Sequence, residues 1–147
     1  MKTLIELFDE CQLENIISGL SFVPQKIIFV GFNSVMTKKR IEDMEGLFAS
    51  KGVKIEFSYE FVGRYNYDEV ENRLFDILKE NEDCVFDITG GSDVVLAAMG
   101  AVAFKNNIPM IIQIYDPLIS QEILQYMALH NLEEGYQKDF VFPIEEK

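Results

Sequence analysis

One turn in the sequence has the residue types needed to hold an anion. Thr89, Gly90, Gly91 and Ser92 follow a short apolar run and precede a long helical pattern. Two adjacent glycines let the backbone turn sharply and let a ligand approach without an intervening Cβ. Ser92 can cap the next helix, where free amides and the helix dipole attract anions. The turn is therefore predicted to bind a ligand; the alternative is a plain tight connection between a strand and a helix.

The familiar nucleotide-binding and catalytic motifs do not occur in this sequence. No Walker-type loop ends in Lys-Ser or Lys-Thr, and no G-x-G-x-x-G segment follows the first predicted strand. His130 is the only histidine, and Cys11 and Cys84 have no zinc or disulfide spacing. We therefore predict no catalytic residue, no metal site and no cofactor.

Other polar segments are expected beside this turn. Asp9 and Glu10 follow the first predicted strand, and Asn33 and Ser34 follow the second. Parallel strands end at the same edge of a sheet, and open α/β folds bind ligands at that edge. These four side chains are therefore expected to face the Gly-Gly turn and to contact the ligand.

Basic residues near this edge are candidate partners for a phosphate. Lys38 begins a basic cluster at the start of a predicted helix, where the helix dipole favours acids instead. Arg64 lies in the loop after the third predicted strand. Both are predicted ligand contacts, and the alternative for the cluster is a solvated helix face.

Apolar runs alternate with helical patterns along the chain, which is typical of βα units that form a parallel sheet. We predict an α/β fold, namely a Rossmann-like, open, mostly parallel sheet with helices on both faces. The predicted strands cover residues 3–8, 26–31, 53–62, 84–88 and 108–115, and the predicted helices cover residues 13–20, 37–50, 67–80 and 93–105. Beyond residue 117 the pattern fits either a helix or an edge strand.

The helix predicted over residues 93–105 is apolar on every face, which indicates burial on more than one side. One side must contact the sheet. Small residues such as Ala97, Gly100 and Ala101 would let a second helix come close. We therefore predict a homodimer through this helix; a central helix buried within one subunit is the alternative.

The composition is that of one ordinary globular domain. The chain has 147 residues, 48% of them hydrophobic and 26% charged, and a net charge of −12. Because long nucleic acids are bound through many lysines and arginines, this acidic balance argues against such a partner. The sequence contains neither a signal-peptide pattern nor an apolar run of membrane-spanning length, so we expect no membrane association and a cytoplasmic location.

The segments at residues 4–10, 13–17 and 26–31, together with residues 87–92, resemble the CRISPR-associated Rossmann-fold (CARF) domains. The resemblance is greatest for a group in which an amino-terminal CARF domain precedes a restriction-endonuclease-like nuclease domain. It implies a homodimeric sensor of cyclic oligoadenylate, a second messenger of type III CRISPR defence. It also implies that residues 1–147 form the amino-terminal domain of a longer protein, with residues 89–92 as the ligand-binding turn.

The sequence departs from that family at Asp93, where members that bind the messenger typically have a lysine. A carboxylate in the first helical turn complements the helix dipole, but it would repel a phosphate placed on the same amides. Either the ligand has a different orientation here, or it is a small nucleotide ligand other than a polyphosphate.

Three functions are compatible with these observations. The first is a ligand-sensing domain without catalysis of its own, and the sequence favours it because no nuclease site is recognisable. The second is a small phosphodiesterase, or ring nuclease, that cleaves its own cyclic ligand by positioning it. The third is a dimerisation module without a nucleotide ligand.

Overall fold

The computed structural model describes residues 2–8, 10, 12–90 and 93–112 of the chain, in which strands and helices alternate. In chain order these are β1 (Thr3–Leu7), α1 (Leu13–Phe22), β2 (Lys26–Gly31), α2 (Lys38–Ser50), β3 (Glu56–Phe61), α3 (Tyr67–Glu80), β4 (Cys84–Asp87), α4 (Asp93–Asn106) and β5 (Met110–Ile111). All five strands are parallel and form one sheet in the order β3-β2-β1-β4-β5. The predicted α/β, Rossmann-like fold is confirmed.

Most predicted elements lie where the sequence pattern placed them, and β3 differs most. It begins at Glu56 rather than at residue 53, because Glu56 pairs with Lys26, the first residue of β2. The preceding Val53 and Ile55 still pack against the core, which explains the long apolar run in the sequence. The strand predicted over residues 108–115 is described only as far as residue 112, and the segment after residue 117 lies outside the described residues.

The order of the strands reverses between β1 and β4. The chain passes from β1 to β2 and β3 on one side, then crosses over to β4 and β5 on the other. Helix α1 packs against α2 and α3 packs against α4, so right-handed crossovers place one pair on each face of the sheet. The carboxyl ends of β1 and β4 therefore form the topological switch point, where open α/β sheets bind their ligands.

Close packing of α1 on the sheet brings its first turn towards this switch point. A Cβ at Gly19 would lie 2.5 Å from Phe48 Cζ and 3.1 Å from Ile27 Cδ1, so only glycine lets α1 approach α2 and β2 this closely. At the start of the same helix, Asn15 Nδ2 donates a hydrogen bond to the carbonyl oxygen of Leu7 at the end of β1, at 2.8 Å. Side chains of α1 are thereby positioned over the ends of the central strands.

Candidate functional site

The turn after β4 is held in shape by Asp87, the last residue of that strand. Asp87 Oδ1 accepts hydrogen bonds from the backbone nitrogen of Thr89 at 2.9 Å and from Thr89 Oγ1 at 2.6 Å. Such Asx turns replace backbone hydrogen bonds where a strand ends. Thr89 is further contacted by the buried hydroxyl of Ser18 in α1, with the two oxygens 3.5 Å apart. Of the predicted site residues, Asp9, Gly91, Ser92 and the side chain of Asp93 lie outside the described residues.

An acidic side chain lies against the backbone of Gly90. A Cβ on this residue would lie 1.8 Å from Glu14 Oε2 and 2.9 Å from Glu14 Cδ. The carboxylate of Glu14, in the first turn of α1, thus lies against the backbone of the predicted phosphate-binding turn. Acidic residues were predicted beside this turn at positions 9, 10 and 93, but nothing in the sequence indicated Glu14.

A buried polar cluster lies at the switch point, and we call Glu6, Asn15 and Asp87 the switch-point cluster. Glu6 of β1 is paired directly with Asp87 of β4, so both side chains are on the same face of the sheet. Glu6 is only 1% exposed, and neither of its carboxyl oxygens has a hydrogen bond of ordinary geometry with the described residues. Asn15 Oδ1 is likewise buried without a partner among them.

The surroundings of Glu6 favour its protonated, neutral form. Burial raises the pKa of Glu6 well above its ordinary value, and the neighbouring Asp87 raises it further, whereas Asn15 acts in the opposite direction. Two buried carboxylates so close together cannot both ionise without a large cost. The protonated Glu6 can direct its proton towards Asp87, which leaves the oxygen of Asp87 available to hold Thr89.

Glu6, Asn15 and Glu14 were not among the predicted site residues, although the sequence contains one signal for Glu6. Glu6 is the single charged residue within the apolar run at residues 3–8. A central parallel strand is buried on both faces, so a charged residue within it calls for a specific partner. Asn15 and Glu14 carry no comparable signal, because polar residues are ordinary in the first turn of a helix.

The structure brings two of the predicted site residues into contact. Arg64 Nη2 lies 3.6 Å from Glu10 Oε1, and the Arg64 guanidinium lies 5.2 Å from the centre of the Phe32 ring. This side chain crosses the end of β2 and connects the loop after β3 with the segment after β1. Arg64 is therefore a cation at the predicted ligand-binding edge, held by a cation–π contact and an ion pair.

The other basic candidate, Lys38, is directed into solvent. It is the first residue of α2, its side chain is 90% exposed, and its Nζ lies 4.0 Å from Glu42 Oε1 on the next helical turn. This arrangement favours the solvated helix face that the sequence left as the alternative. Asn33 and Ser34 are exposed in the turn after β2, and their contact with a ligand stays a prediction.

The described part of the site is therefore more acidic than the sequence motif suggested. Carboxyl groups of Glu6, Glu14 and Asp87 surround the start of the Gly-Gly turn, whereas Arg64 is located towards β3. Such an arrangement suits hydrogen-bond donors near Gly90 and an anion near Arg64. Within the described ranges, no group of three or more His, Cys, Asp or Glu side chains is arranged to hold a metal ion.

None of the helices within residues 12–90 and 93–112 has the length and apolar character needed to cross a bilayer.

Similarity to known proteins is found in the fold and not at the level of the sequence. No protein-family model matches the chain, and no curated protein matches it. Among solved structures, Can2 from Sulfobacillus thermosulfidooxidans in complex with cyclic tetra-adenylate matches with a TM-score of 0.67 and 22% identity, over 76% of this chain and 32% of that chain.

Two further structures match with a TM-score of 0.61. Csm6 from Enterococcus italicus, bound to cyclic hexa-2′-fluoro-hexa-dAMP, is 11% identical over 89% of this chain and 38% of that chain. Protein VC1899 from Vibrio cholerae is 16% identical over 76% of this chain and 30% of that chain. The chain thus spans about a third of the length of the proteins it matches. The fold that the sequence resemblance implied is confirmed.

Proposed function

We propose that this chain, which has the fold of a CARF domain, is the ligand-sensing domain of a longer protein and binds a cyclic oligoadenylate. The observation that carries this proposal is the shared fold with Can2 and Csm6, both solved with such cyclic ligands. The binding site is the crevice at the carboxyl ends of β1 and β4, where the order of the strands reverses.

The geometry of the Gly90 turn supports this location. Asp87 fixes Thr89 at the start of the turn, so the backbone does not have to be ordered when the ligand arrives. The missing side chain at Gly90 lets the Glu14 carboxylate lie against the turn, so a hydrogen-bond acceptor is already in place there. The crevice is therefore largely organised before binding.

The acidic side chains suggest how the ligand is oriented. Glu14 would repel a phosphate, but its carboxylate can accept hydrogen bonds from ribose hydroxyls and from the amino group of adenine. Arg64 supplies a planar donor group suited to a phosphate. In this proposal the sugar or base of a nucleotide faces Gly90, and a phosphate faces Arg64.

Incubation with cyclic tetra-adenylate tests the proposal against its two alternatives. A sensor is stabilised without forming a product, by about 2.7 kcal/mol when the ligand is at about one hundred times its Kd. For a domain of this size, that corresponds to a rise in Tm of roughly 5–10 °C. A linear oligoadenylate of the same length serves as the control, and chromatography of the mixture detects cleavage.

The three functions give different results in that experiment. Stabilisation without cleavage supports the sensor, and a linear product identifies a ring nuclease. A chain that is neither stabilised nor active on the ring is a dimerisation module, and the proposed function is then wrong.

The homodimer is a second part of the proposal, and α4 is its interface. Phe104 is 87% exposed on this helix, Ala97 is also exposed, and a Cβ at Gly100 would meet no atom within 4 Å. These residues share one side of α4, whereas Val95 and Met99 are buried on the other. A second copy of the chain could cover this apolar stripe at close range.

Ala101→Glu is expected to separate the dimer, because a carboxylate buried in an interface without a partner is costly. Light scattering at tens of micromolar should give the mass of a dimer for the wild-type chain and that of a monomer for the variant. Ser21→Glu adds the same charge at an exposed position of α1 and should remain dimeric. A monomeric wild-type chain at this concentration would rule out the interface.

A further inference from the structure

The loop between β3 and α3 presents an aromatic ring to solvent from a rigid backbone. The side chain of Glu69 accepts a hydrogen bond from the nitrogen of Gly63 at 3.1 Å, and Asn66 Oδ1 accepts one from the nitrogen of Glu69 at 3.0 Å. A further backbone bond joins Asn66 and Gly63. This arrangement is related to a capping box, in which a helix start and the preceding chain hold each other in place.

Tyr65 lies at the centre of this closed loop and is 86% exposed. The nearby Tyr67 differs, because its hydroxyl donates to Glu71 Oε2 at 3.2 Å along α3. The backbone that carries Tyr65 is thus held by hydrogen bonds, and its ring is accessible over most of its surface. Little conformational entropy remains to be lost when a flat group stacks on it.

Arg64 precedes Tyr65 and turns towards the switch point. Its guanidinium lies over Phe32 and reaches Glu10 at 3.6 Å, a contact between two exposed side chains that contributes little to stability. A phosphate could replace Glu10 as the partner of Arg64 and form a stronger, bidentate pair. An aromatic face and a phosphate-binding cation thus occupy neighbouring positions, as a nucleotide requires.

The distance along the sheet also suits an oligonucleotide ring. The loop follows β3, and β2 alone separates β3 from β1. Adjacent strands are about 4.8 Å apart, so the loop lies roughly 10 Å from the end of β1. A ring of several nucleotides that occupies the crevice would place one of its nucleotides over the loop.

We propose that Tyr65 and Arg64 form a nucleotide subsite, in which a base stacks on the Tyr65 ring and the adjoining phosphate pairs with Arg64. This inference rests on the proposed function and deepens it. Stacking uses the face of the base and not its hydrogen-bonding edge, so this subsite contributes affinity without selecting adenine. Any selection for adenine must then come from hydrogen bonds at the Gly90 turn.

The absence of tryptophan from the sequence allows a direct test. Tyr65→Trp introduces a single fluorescent reporter, and titration with cyclic tetra-adenylate should quench its emission. Val23→Trp is the matched control, because Val23 is exposed at the opposite edge of the sheet and should not respond. Tyr65→Ala should weaken binding by about fivefold to a hundredfold, and Tyr65→Phe should leave it nearly unchanged.

Arg64→Gln should also weaken binding and reduce its dependence on salt, since one phosphate contact is lost. If the wild-type chain binds the ring and Tyr65→Ala binds it equally well, the subsite is wrong and the proposed function stands. If the wild-type chain binds no ring at all, both are overturned.

Discussion

In the wild-type chain the free energy of unfolding is expected to fall as the pH rises, and Glu6→Gln is expected to remove this pH dependence. Glu6 is buried beside Asp87, and burial, more than the neighbouring carboxylate, raises its pKa well above the ordinary value. The folded chain therefore keeps a proton on Glu6 at pH values where the unfolded chain has released it. Glutamine has nearly the same shape and is neutral at every pH, so the variant has no such proton to lose.

Stability falls with pH in this window because the unfolded chain binds fewer protons than the folded chain. The window opens near the ordinary pKa of glutamate, about 4.3, and closes once the pH exceeds the raised pKa of Glu6. Within it the free energy of unfolding falls by at most about 1.4 kcal/mol per pH unit. Below the window the wild type has its full stability. Above the window the wild type has lost the contribution of the protonated Glu6, so Glu6→Gln becomes the more stable protein.

Urea unfolding from about pH 4 to about pH 9 measures this difference. Glu82→Gln removes an exposed carboxylate near the start of β4 and should keep the pH dependence of the wild type. Parallel stability curves for the wild type and Glu6→Gln across this range would contradict a buried, protonated Glu6.

Asp93→Lys is expected to tighten the binding of cyclic tetra-adenylate by about tenfold to a hundredfold, or roughly 1 to 3 kcal/mol. Asp93 is the first residue of α4 and directly follows the Gly-Gly turn. Each nucleotide of a cyclic oligoadenylate is flanked by phosphates, so a carboxylate at the helix start opposes a phosphate next to the sugar or base at Gly90, whereas a lysine adds a cationic donor. Glu14 already places a negative charge against Gly90, so the turn has an excess of acid that the lysine would offset.

Titration of the wild type and Asp93→Lys at two salt concentrations measures this effect, and the variant should show the steeper salt dependence. Glu82→Lys makes the same change of charge at the opposite edge of the sheet and should have little influence. Unchanged affinity in Asp93→Lys would mean that Asp93 only starts the helix. Weaker binding would mean that the aspartate itself contacts a base or a ribose hydroxyl, and that no phosphate lies near the start of α4.

The sequence by itself determined the elements of the fold. The boundaries of β2 and α3 agree with prediction, because each is set by local signals. In α3 these signals are the helical period of its apolar residues and the cap supplied by Asn66. Alternation of strands and helices then implied a parallel sheet, at whose carboxyl edge a ligand site was predicted. The Gly-Gly turn was found in the same way, since its chemistry lies within a few consecutive residues.

Only the tertiary structure decided which side chains surround that turn. Glu6 meets Asp87 because β1 and β4 are neighbours in a particular register, and that pairing depends on the crossover of α3. Glu14 lies against Gly90 because α1 packs closely on the sheet through Gly19. Arg64 reaches Glu10 across the end of β2. The periodicity of apolar residues in the sequence indicates whether a residue faces the core, but not which distant residue it contacts there. The contacts of Glu6 and Glu14 at this turn therefore became apparent only in the folded chain.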